Sequence, residues 1–292
     1  MTAIATAQTH KRGFLAGLVG EGIGASRSPL LHEQEADALG VRLVYSLYDL
    51  AGAPDGARAL SRVIEAAKQM GFAGLNITHP FKQRVIPLLD RLSDEARRIG
   101  AVNTVSFRDG QATGFNTDYL GFAETLRRCL AGARFDHVVQ LGAGGAGSAT
   151  ARALLEHGAG ILQLHDVDGD RAEALANSLQ RDFGKSRVAV APDLQAAIAS
   201  ADGLVNATPV GMAGHPGSPV PAGALRSSLW VADIVYFPLQ TELLRQAADA
   251  GCRTVNGVAM VVFQAAAAFD IFTGIHAQRE RMLARAIEQW SD

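Results

Sequence analysis

Cysteine is nearly absent: Cys129 and Cys252 are the only two in 292 residues. Two isolated thiols support neither a disulfide framework nor a cysteine-bound metal, so no metal site is expected and both read as buried spectators. An excess of one charge is also missing. The 27 Lys and Arg against 29 Asp and Glu leave a formal net charge of -2, which offers nothing to nucleic acid or to an anionic membrane. No hydrophobic run is long enough to span a bilayer. The most apolar late stretch, 255–272, is interrupted by Asn256, Gln264 and Asp270. Residues 1–12 are small and polar and lack the apolar centre of a signal peptide, so a cytoplasmic location is expected. No solenoid-period repeat and no low-complexity tract occurs. With 48% hydrophobic and 19% charged residues, the composition is that of a globular enzyme, and the length suits two domains.

What is present centres on 137–168. Val138, Val139 and Leu141 form a short apolar run that stops at glycine, as a buried parallel strand does. Gly142-Ala143-Gly144-Gly145-Ala146-Gly147 matches G-x-G-x-x-G. A helical pattern with Ala149, Ala153, Leu154 and His157 on one side follows and closes at Gly158. A second apolar run, Ile161, Leu162 and Leu164, ends at Asp166. Strand, glycine turn, helix, strand and acid together predict a dinucleotide site. Gly142 serves the tight turn, Gly144 lets backbone approach a pyrophosphate, Gly147 lets helix and strand pack, and the helix N-terminus faces the phosphates. Asp166 lies where a carboxylate accepts from the adenine ribose. A glycine turn that merely packs a helix on a sheet, or a methyltransferase loop, would share parts of this pattern.

The first half makes an α/β layer of its own. Strands are expected at 14–19, 41–47 and 72–77, with helices at 28–39, opened by Ser28 as N-cap and Pro29, and at 57–70. Another helix starts near Pro80 and a short one at Ser93-Asp94-Glu95. A hairpin turns at Asp109-Gly110, and a helix runs from Asn116-Thr117-Asp118 to about Leu130. After Asp166, strands recur near 188–190, 203–206 and 231–235, and 209–221 reads as a long loop. The fold class is therefore α/β with two α/β domains. An N-terminal substrate-binding domain spans 1–120 and is completed by helices in 258–292; a Rossmann-like, doubly wound dinucleotide-binding domain spans 121–257.

Four polar clusters sit at strand ends of the first domain: Ser26-Arg27-Ser28-Pro29, Asn76-Ile77-Thr78-His79-Pro80-Phe81-Lys82, Ala101-Val102-Asn103-Thr104 and Asn116-Thr117-Asp118. Singly, each has an ordinary explanation: a cap at Ser28, a solvated Lys82, an Asn103 satisfied by backbone, a cap at Asn116. Together they gather hydroxyls, amides, a lysine and an acid where open α/β sheets bind ligands. Such a cleft suits a small polyol carrying a carboxylate.

These stretches, with Gly100-Ala101-Val102-Asn103-Thr104, Asn206-Ala207-Thr208-Pro209, the glycine loop and Gln264 in its apolar helix, resemble the shikimate dehydrogenases in sequence and in order. They are most similar to the quinate/shikimate dehydrogenase branch. The resemblance implies that Lys82 and Asp118 are the catalytic pair. It implies that Ser26 and Ser28 hold the substrate carboxylate, and that Asn76, Thr78, Asn103, Tyr236 and Gln264 surround the ring hydroxyls. Gly142, Ala143, Gly144, Gly145, Ala146, Gly147, Asp166, Arg171, Thr208, Ile234 and Gly257 match cofactor contacts. Two positions depart from the family pattern. Tyr119 stands where glycine is frequent, with pocket shape as its expected effect, and His79 replaces the commoner valine, as a structural residue.

The implied reaction is reversible hydride transfer between a ring alcohol of shikimate or quinate and a nicotinamide. One group removes the hydroxyl proton in one direction and returns it in the other. Lys82 is assigned that proton; Asp118 orients it and bonds the substrate. The expected cofactor is NAD, because Asp166 and Asp168 oppose a 2′-phosphate more than Arg171 attracts it, and because the Asn-Arg-Thr cluster of NADP-dependent relatives is replaced by Asp166-Val167-Asp168. Shikimate is expected to be the better substrate and quinate a second one, since quinate-preferring relatives tend to carry Thr where Ser28 stands. A dehydrogenase of a related cyclic polyol acid, such as an aminoshikimate, or a dinucleotide sensor without turnover are the alternatives. A sensor need not keep both Lys82 and Asp118. No nucleic acid or membrane partner is expected, and the assembly is a monomer or homodimer.

Overall fold

The computed structural model describes residues 13–290; the expectation for 1–12 lies outside them. Two six-stranded sheets organise the chain. The first begins with β1 (Gly13–Gly20), α1 (Ser28–Ala38), β2 (Arg42–Asp49), α2 (Gly56–Gln69) and β3 (Gly74–Ile77). β4 (Arg91–Leu92), α3 (Asp94–Ile99), β5 (Thr104–Arg108) and β6 (Gln111–Phe115) complete it, in the order β2-β1-β3-β5-β6-β4. β1 runs parallel to β2 and β3, while β5 runs antiparallel to β3 and β6. The hairpin turn has Asp109 at φ 52° and Gly110 at φ 71°, the two positive values a type I′ turn requires.

α4 (Thr117–Cys129) leads into the second sheet: β7 (His137–Leu141), α5 (Gly145–His157), β8 (Ile161–His165), α6 (Gly169–Phe183), β9 (Val188–Val190), α7 (Leu194–Ser200), β10 (Gly203–Asn206), β11 (Trp230–Asp233), α8 (Glu242–Asp249) and β12 (Arg253–Val255). Its order is β12-β11-β10-β7-β8-β9 and every pairing is parallel. That is the doubly wound arrangement, with its topological switch point between β7 and β10. Two short strands escape sequence pattern, β4 with two residues and β12 with three; neither is long enough to show a period.

α9 (Val258–Thr273) and α10 (Arg279–Trp290) return to the first sheet. Phe263, Phe269 and Phe272 of α9 join Ala16, Leu18, Leu31 and Tyr45 in one core. α10 is tied down by a buried carboxylate: Glu35 of α1, 1% exposed, accepts from Arg281 Nε at 3.0 Å and Nη2 at 2.6 Å. On the opposite face, α2 buries Leu60, Ile64 and Ala67 against Leu75 and Ile77. Between the sheets, Phe122 and Leu126 of α4 share a core with Leu154 of α5 and Met260 of α9. No helix of the described residues is long and apolar enough to cross a membrane.

Two local expectations need correction. Ser28 is not the cap of α1. Arg27 occupies that position, Ser28 is the first helical residue, and Ser26 Oγ accepts from the Ser28 amide at 3.3 Å. The Ser28 hydroxyl is thereby left for other partners. The stretch from Pro80 is not a regular helix but turns and a 3₁₀ segment at Ile86–Leu88. Pro87 lacks the N–H and the room that an α-helix needs there.

Candidate active site

The carboxyl ends of the parallel neighbours β1 and β3 lie side by side at one edge of the first sheet, and the start of α4 is tied to the residue before β5 by the Thr117 amide. Asn116 caps α4, accepting from the Tyr119 amide at 3.0 Å and donating to Ala101 O at 2.9 Å. That cap fixes Asp118 in the first turn. Buried Phe81 and Val85 anchor the turn that carries Lys82. Lys82 Nζ lies 2.6 Å from Asp118 Oδ2, with the two side chains 20% and 12% exposed. The pair is sheltered from bulk water, where charge interactions are weak, yet open to a small ligand.

Beside it runs a polar network. Asn103 Oδ1 accepts from the Thr117 amide at 2.6 Å, and Asn103 Nδ2 donates to Thr117 Oγ1 at 3.0 Å. Thr117 Oγ1 reaches Gln264 Oε1 at 3.3 Å, which brings α9 to the site. Asn76 Nδ2 donates to Asn103 O at 3.2 Å and Thr104 Oγ1 at 2.9 Å, and its Oδ1 accepts from the Tyr45 hydroxyl at 2.7 Å. Ser26 Oγ donates to Ser28 Oγ at 3.2 Å. Thr78 is half-buried, its amide donating to Val19 O at 2.9 Å. Tyr236 sits exposed on the loop after β11, its ring 6.1 Å from that of Trp290. Exposed His79 contributes its carbonyl to the Glu21 amide at 3.0 Å, a structural contact.

The glycine loop occupies the switch point of the second sheet. Gly142 has φ +95°, and a Cβ there would meet Ala207 O at 2.7 Å; one on Gly147 would meet Gly142 O at 2.3 Å. Gly144 is exposed with nothing within 4 Å of its Cβ position, so the space above it is free for a phosphate group at the N-terminus of α5. Ala143 is buried and Gly145 and Ala146 are half-buried beside it. A Cβ on Gly145 would lie 3.7 Å from Lys82 Cδ. The loop therefore passes near Lys82, which follows β3 of the first sheet. Gly257 admits the Ile234 carbonyl, 2.4 Å from where its Cβ would be. Thr208 Oγ1 donates to Asn206 Oδ1 at 2.7 Å.

Asp166 has work within the protein. Its Oδ2 accepts from the Ala143 amide at 2.7 Å and its Oδ1 from the Asp168 amide at 2.9 Å. Arg171 is held by Asp168 at 2.9 Å. Among the described residues no cluster of three or more His, Cys, Asp or Glu is placed to hold a metal ion.

Three residues of these networks were not marked by sequence. Tyr45 lay inside an expected strand, with nothing local to mark its partner. Gln140, fully buried, donates to Gly142 O and Gly147 O at 2.9 Å and braces the glycine loop. A polar side chain in the apolar run 138–141 was the available signal. Asp233, 2% exposed, accepts from Thr241 Oγ1 at 2.7 Å, Asn206 Nδ2 at 2.9 Å and the Val235 amide at 3.0 Å; burial pushes its carboxyl up to about 6. Tyr119, expected to alter the pocket, spends its hydroxyl on Glu156 of α5 and ties α4 to α5.

Comparison with known proteins identifies the family. Residues 18–105 match the family model for the shikimate dehydrogenase substrate binding domain. A shikimate dehydrogenase (NADP(+)) of Streptomyces avermitilis is 53% identical over 277 residues, 94% of this chain and 95% of that protein. A quinate/shikimate dehydrogenase (NAD(+)) of Corynebacterium efficiens is 46% identical over 274 residues, 93% of this chain and 96% of that protein. The solved quinate dehydrogenase from Corynebacterium glutamicum in complex with NAD superposes with TM-score 0.89 at 44% identity, covering 95% of this chain and 100% of that one. By descent and by architecture, the chain belongs to the shikimate dehydrogenase family of oxidoreductases.

Proposed function

We propose that this protein catalyses reversible hydride transfer between the ring alcohol of shikimate, or quinate, and a nicotinamide dinucleotide, with NAD preferred. The observation that carries the reading is the Lys82–Asp118 pair at 2.6 Å set against Gly145 of the glycine loop. Proton-transfer group and dinucleotide loop thus lie close to one another. In this reading residues 1–120, with the helices of 258–292, form the substrate side, and 121–257 the cofactor side.

Bound at the glycine loop, the dinucleotide supplies hydride acceptance and donation at its nicotinamide. The protein supplies the rest. Gly142, Gly144 and Gly147 shape the phosphate cradle, with Ala143, Gly145 and Ala146 as its backbone wall. Thr208, Ile234 and Gly257 line the cleft from the neighbouring strands. Ser26 and Ser28 receive the carboxylate, and Asn103, Thr78, Tyr236 and Gln264 the ring hydroxyls, with Asn76 in support. In the reducing direction the Lys82 ammonium gives a proton to the carbonyl oxygen as its carbon gains hydride. In the oxidising direction the pair takes that proton back from the hydroxyl. Asp118 holds Lys82 in place and accepts from the substrate.

The NAD preference rests on charge. Asp166 and Asp168 stand at the end of β8, and Arg171 is already paired to Asp168. A 2′-phosphate would meet one engaged cation and two carboxylates. Following absorbance of the reduced nicotinamide with shikimate and quinate, each with NAD and NADP, tests the whole reading. Turnover of either acid with a higher kcat/KM for NAD is expected. A higher value with NADP overturns the assignment of Asp166, and no turnover of either acid overturns the substrate.

A further inference from the structure

Gln140 is a fully buried amide in an interior strand of the second sheet. Its register partners are Val205 of β10 and Leu164 of β8, both apolar and fully buried. An amide left unpaired in such surroundings is strongly destabilising, so its hydrogen bonds are what keep it there. Alternation along β7 puts Gln140 on the same face as Val138. That face packs on α5, through Ala151 and Leu154, and it lies under the glycine loop.

The donors can be counted. Nε2 carries two hydrogens, and Gly142 O and Gly147 O, each 2.9 Å away, take one apiece. Both partners are carbonyls and only accept, so the nitrogen of the amide must face them. Oε1 then faces α5 and accepts from Thr150 Oγ1 at 2.8 Å. Thr150 is itself fully buried, and the carbonyls of Ala146 and Gly147 lie farther from its hydroxyl, at 3.2 Å. Among the described residues no backbone amide donates to Gly142 O, so Gln140 is its partner. Gly142 and Gly147 are the first and last glycines of the loop. One side-chain nitrogen therefore pins both of its ends. Ala143, just inside the first pin, is held separately by Asp166.

We propose that Gln140 is a positioning residue of the dinucleotide site, which sets the affinity for the cofactor by holding the two ends of the glycine loop at one spacing before the pyrophosphate arrives. The proposal rests on the dinucleotide reading above. A loop already in its binding shape loses little freedom when the ligand enters. A loop free to change shape binds more weakly, in proportion to the fraction of time it spends in the right one. Gln140 acts from beneath the loop. Its hydrogen bonds go to the loop and to Thr150, and none goes to Lys82 or Asp118, so the chemical step keeps its groups.

The test is Gln140→Met, which keeps the length of the side chain and removes both donors. Binding is read by fluorescence titration with whichever of NADH and NADPH the wild type holds more tightly. The expected result is a Kd raised about 10-fold, as for a loop in its binding shape about a tenth of the time. KM for the oxidised cofactor should rise with it, while kcat and the KM for shikimate or quinate, at saturating cofactor, move less than about two-fold. Val138→Ala, on the same strand and the same face, is the control for a merely structural role. It should lower the melting temperature and leave the Kd within about two-fold of wild type. An unchanged Kd in Gln140→Met, a loss expressed in kcat alone, or an equal rise in Val138→Ala overturns the proposal while the dinucleotide reading stands. A wild type that binds neither NADH nor NADPH overturns that reading and this proposal with it. If Gln140→Met fails to fold, Thr150→Val carries the test, since it frees the amide to turn. A Kd raised about 3-fold or more is expected there, the scale of one weakened hydrogen bond, and an unchanged Kd overturns the proposal.

Discussion

At the scale of single residues, the site is built from groups held by other groups. Lys82 and Asp118 illustrate it, and their removal is the plainest check. Lys82→Ala is expected to lower kcat by about 10²- to 10⁴-fold, the usual worth of a general acid–base group. NAD affinity, measured by fluorescence titration, should survive. Asp118→Asn should also lower kcat, and the double variant should lose less than the product of the two, because the pair acts as a unit; a Lys82→Ala enzyme with kcat near wild type would rule the role out. His32 gives a prediction in pH. Its folded value, about 3, lies below its unfolded 6.5. Between those values the unfolded chain binds a proton the folded one does not, so the group favours unfolding as pH falls through 6.5. Against His32→Leu, wild-type stability should decline by up to about 1.4 kcal/mol per pH unit from pH 6 to pH 4. Asp233 works in the opposite sense: raised to about 6 from 3.8, it costs stability as pH rises through that window, so Asp233→Asn should flatten the gain on acidification. Urea midpoints at several pH values read both. A wild-type-minus-variant difference that does not vary with pH would mean that His32 is not held neutral.

At the scale of elements, glycine is not interchangeable along the loop. A Cβ at Gly147 would press on the Gly142 carbonyl at 2.3 Å, whereas one at Gly144 would meet nothing. Gly147→Ala should therefore destabilise the protein by about 1–3 kcal/mol, as overpacking does. Gly144→Ala should leave the melting temperature alone and weaken the dinucleotide proposed to occupy that space. Equal melting shifts for the two would contradict the geometry. The loop was legible in the sequence because strand, turn, helix and acid each leave a local mark, and so were the Asp109-Gly110 hairpin and the cap at Asn116. Ser28 was misread because capping depends on which hydroxyl the backbone selects, and Ser26 lay two residues upstream. The helix expected from Pro80 failed at Pro87, a local rule outweighed by an apolar pattern. Tyr45 and Asp233 could not be seen at all. Their importance comes from partners 31 and 27 residues away, and no spacing within a strand encodes that.

At the scale of the whole molecule, the first sheet is finished by the end of the chain. Phe269 of α9 is fully buried in the core against the first sheet, its ring 6.3 Å from that of His32. Phe269→Ala should cost about 3–5 kcal/mol in denaturant unfolding, a large share of the ~5–15 kcal/mol that holds a typical domain together. A loss below about 1 kcal/mol would show that α9 only rests on the sheet. This closure has a consequence for the order of events during synthesis. β1 and β2 leave the ribosome early, but the apolar helix that covers them is encoded some two hundred residues later. At ~5–20 residues per second, one face of the substrate sheet waits roughly 10–40 s for its cover. The second sheet, whose strands and helices are contiguous, can form in that interval. The half that recognises the substrate is thus the first to be made and the last to be completed, and a ribosome that stalls before α9 leaves the apolar face of β1 and β2 bare.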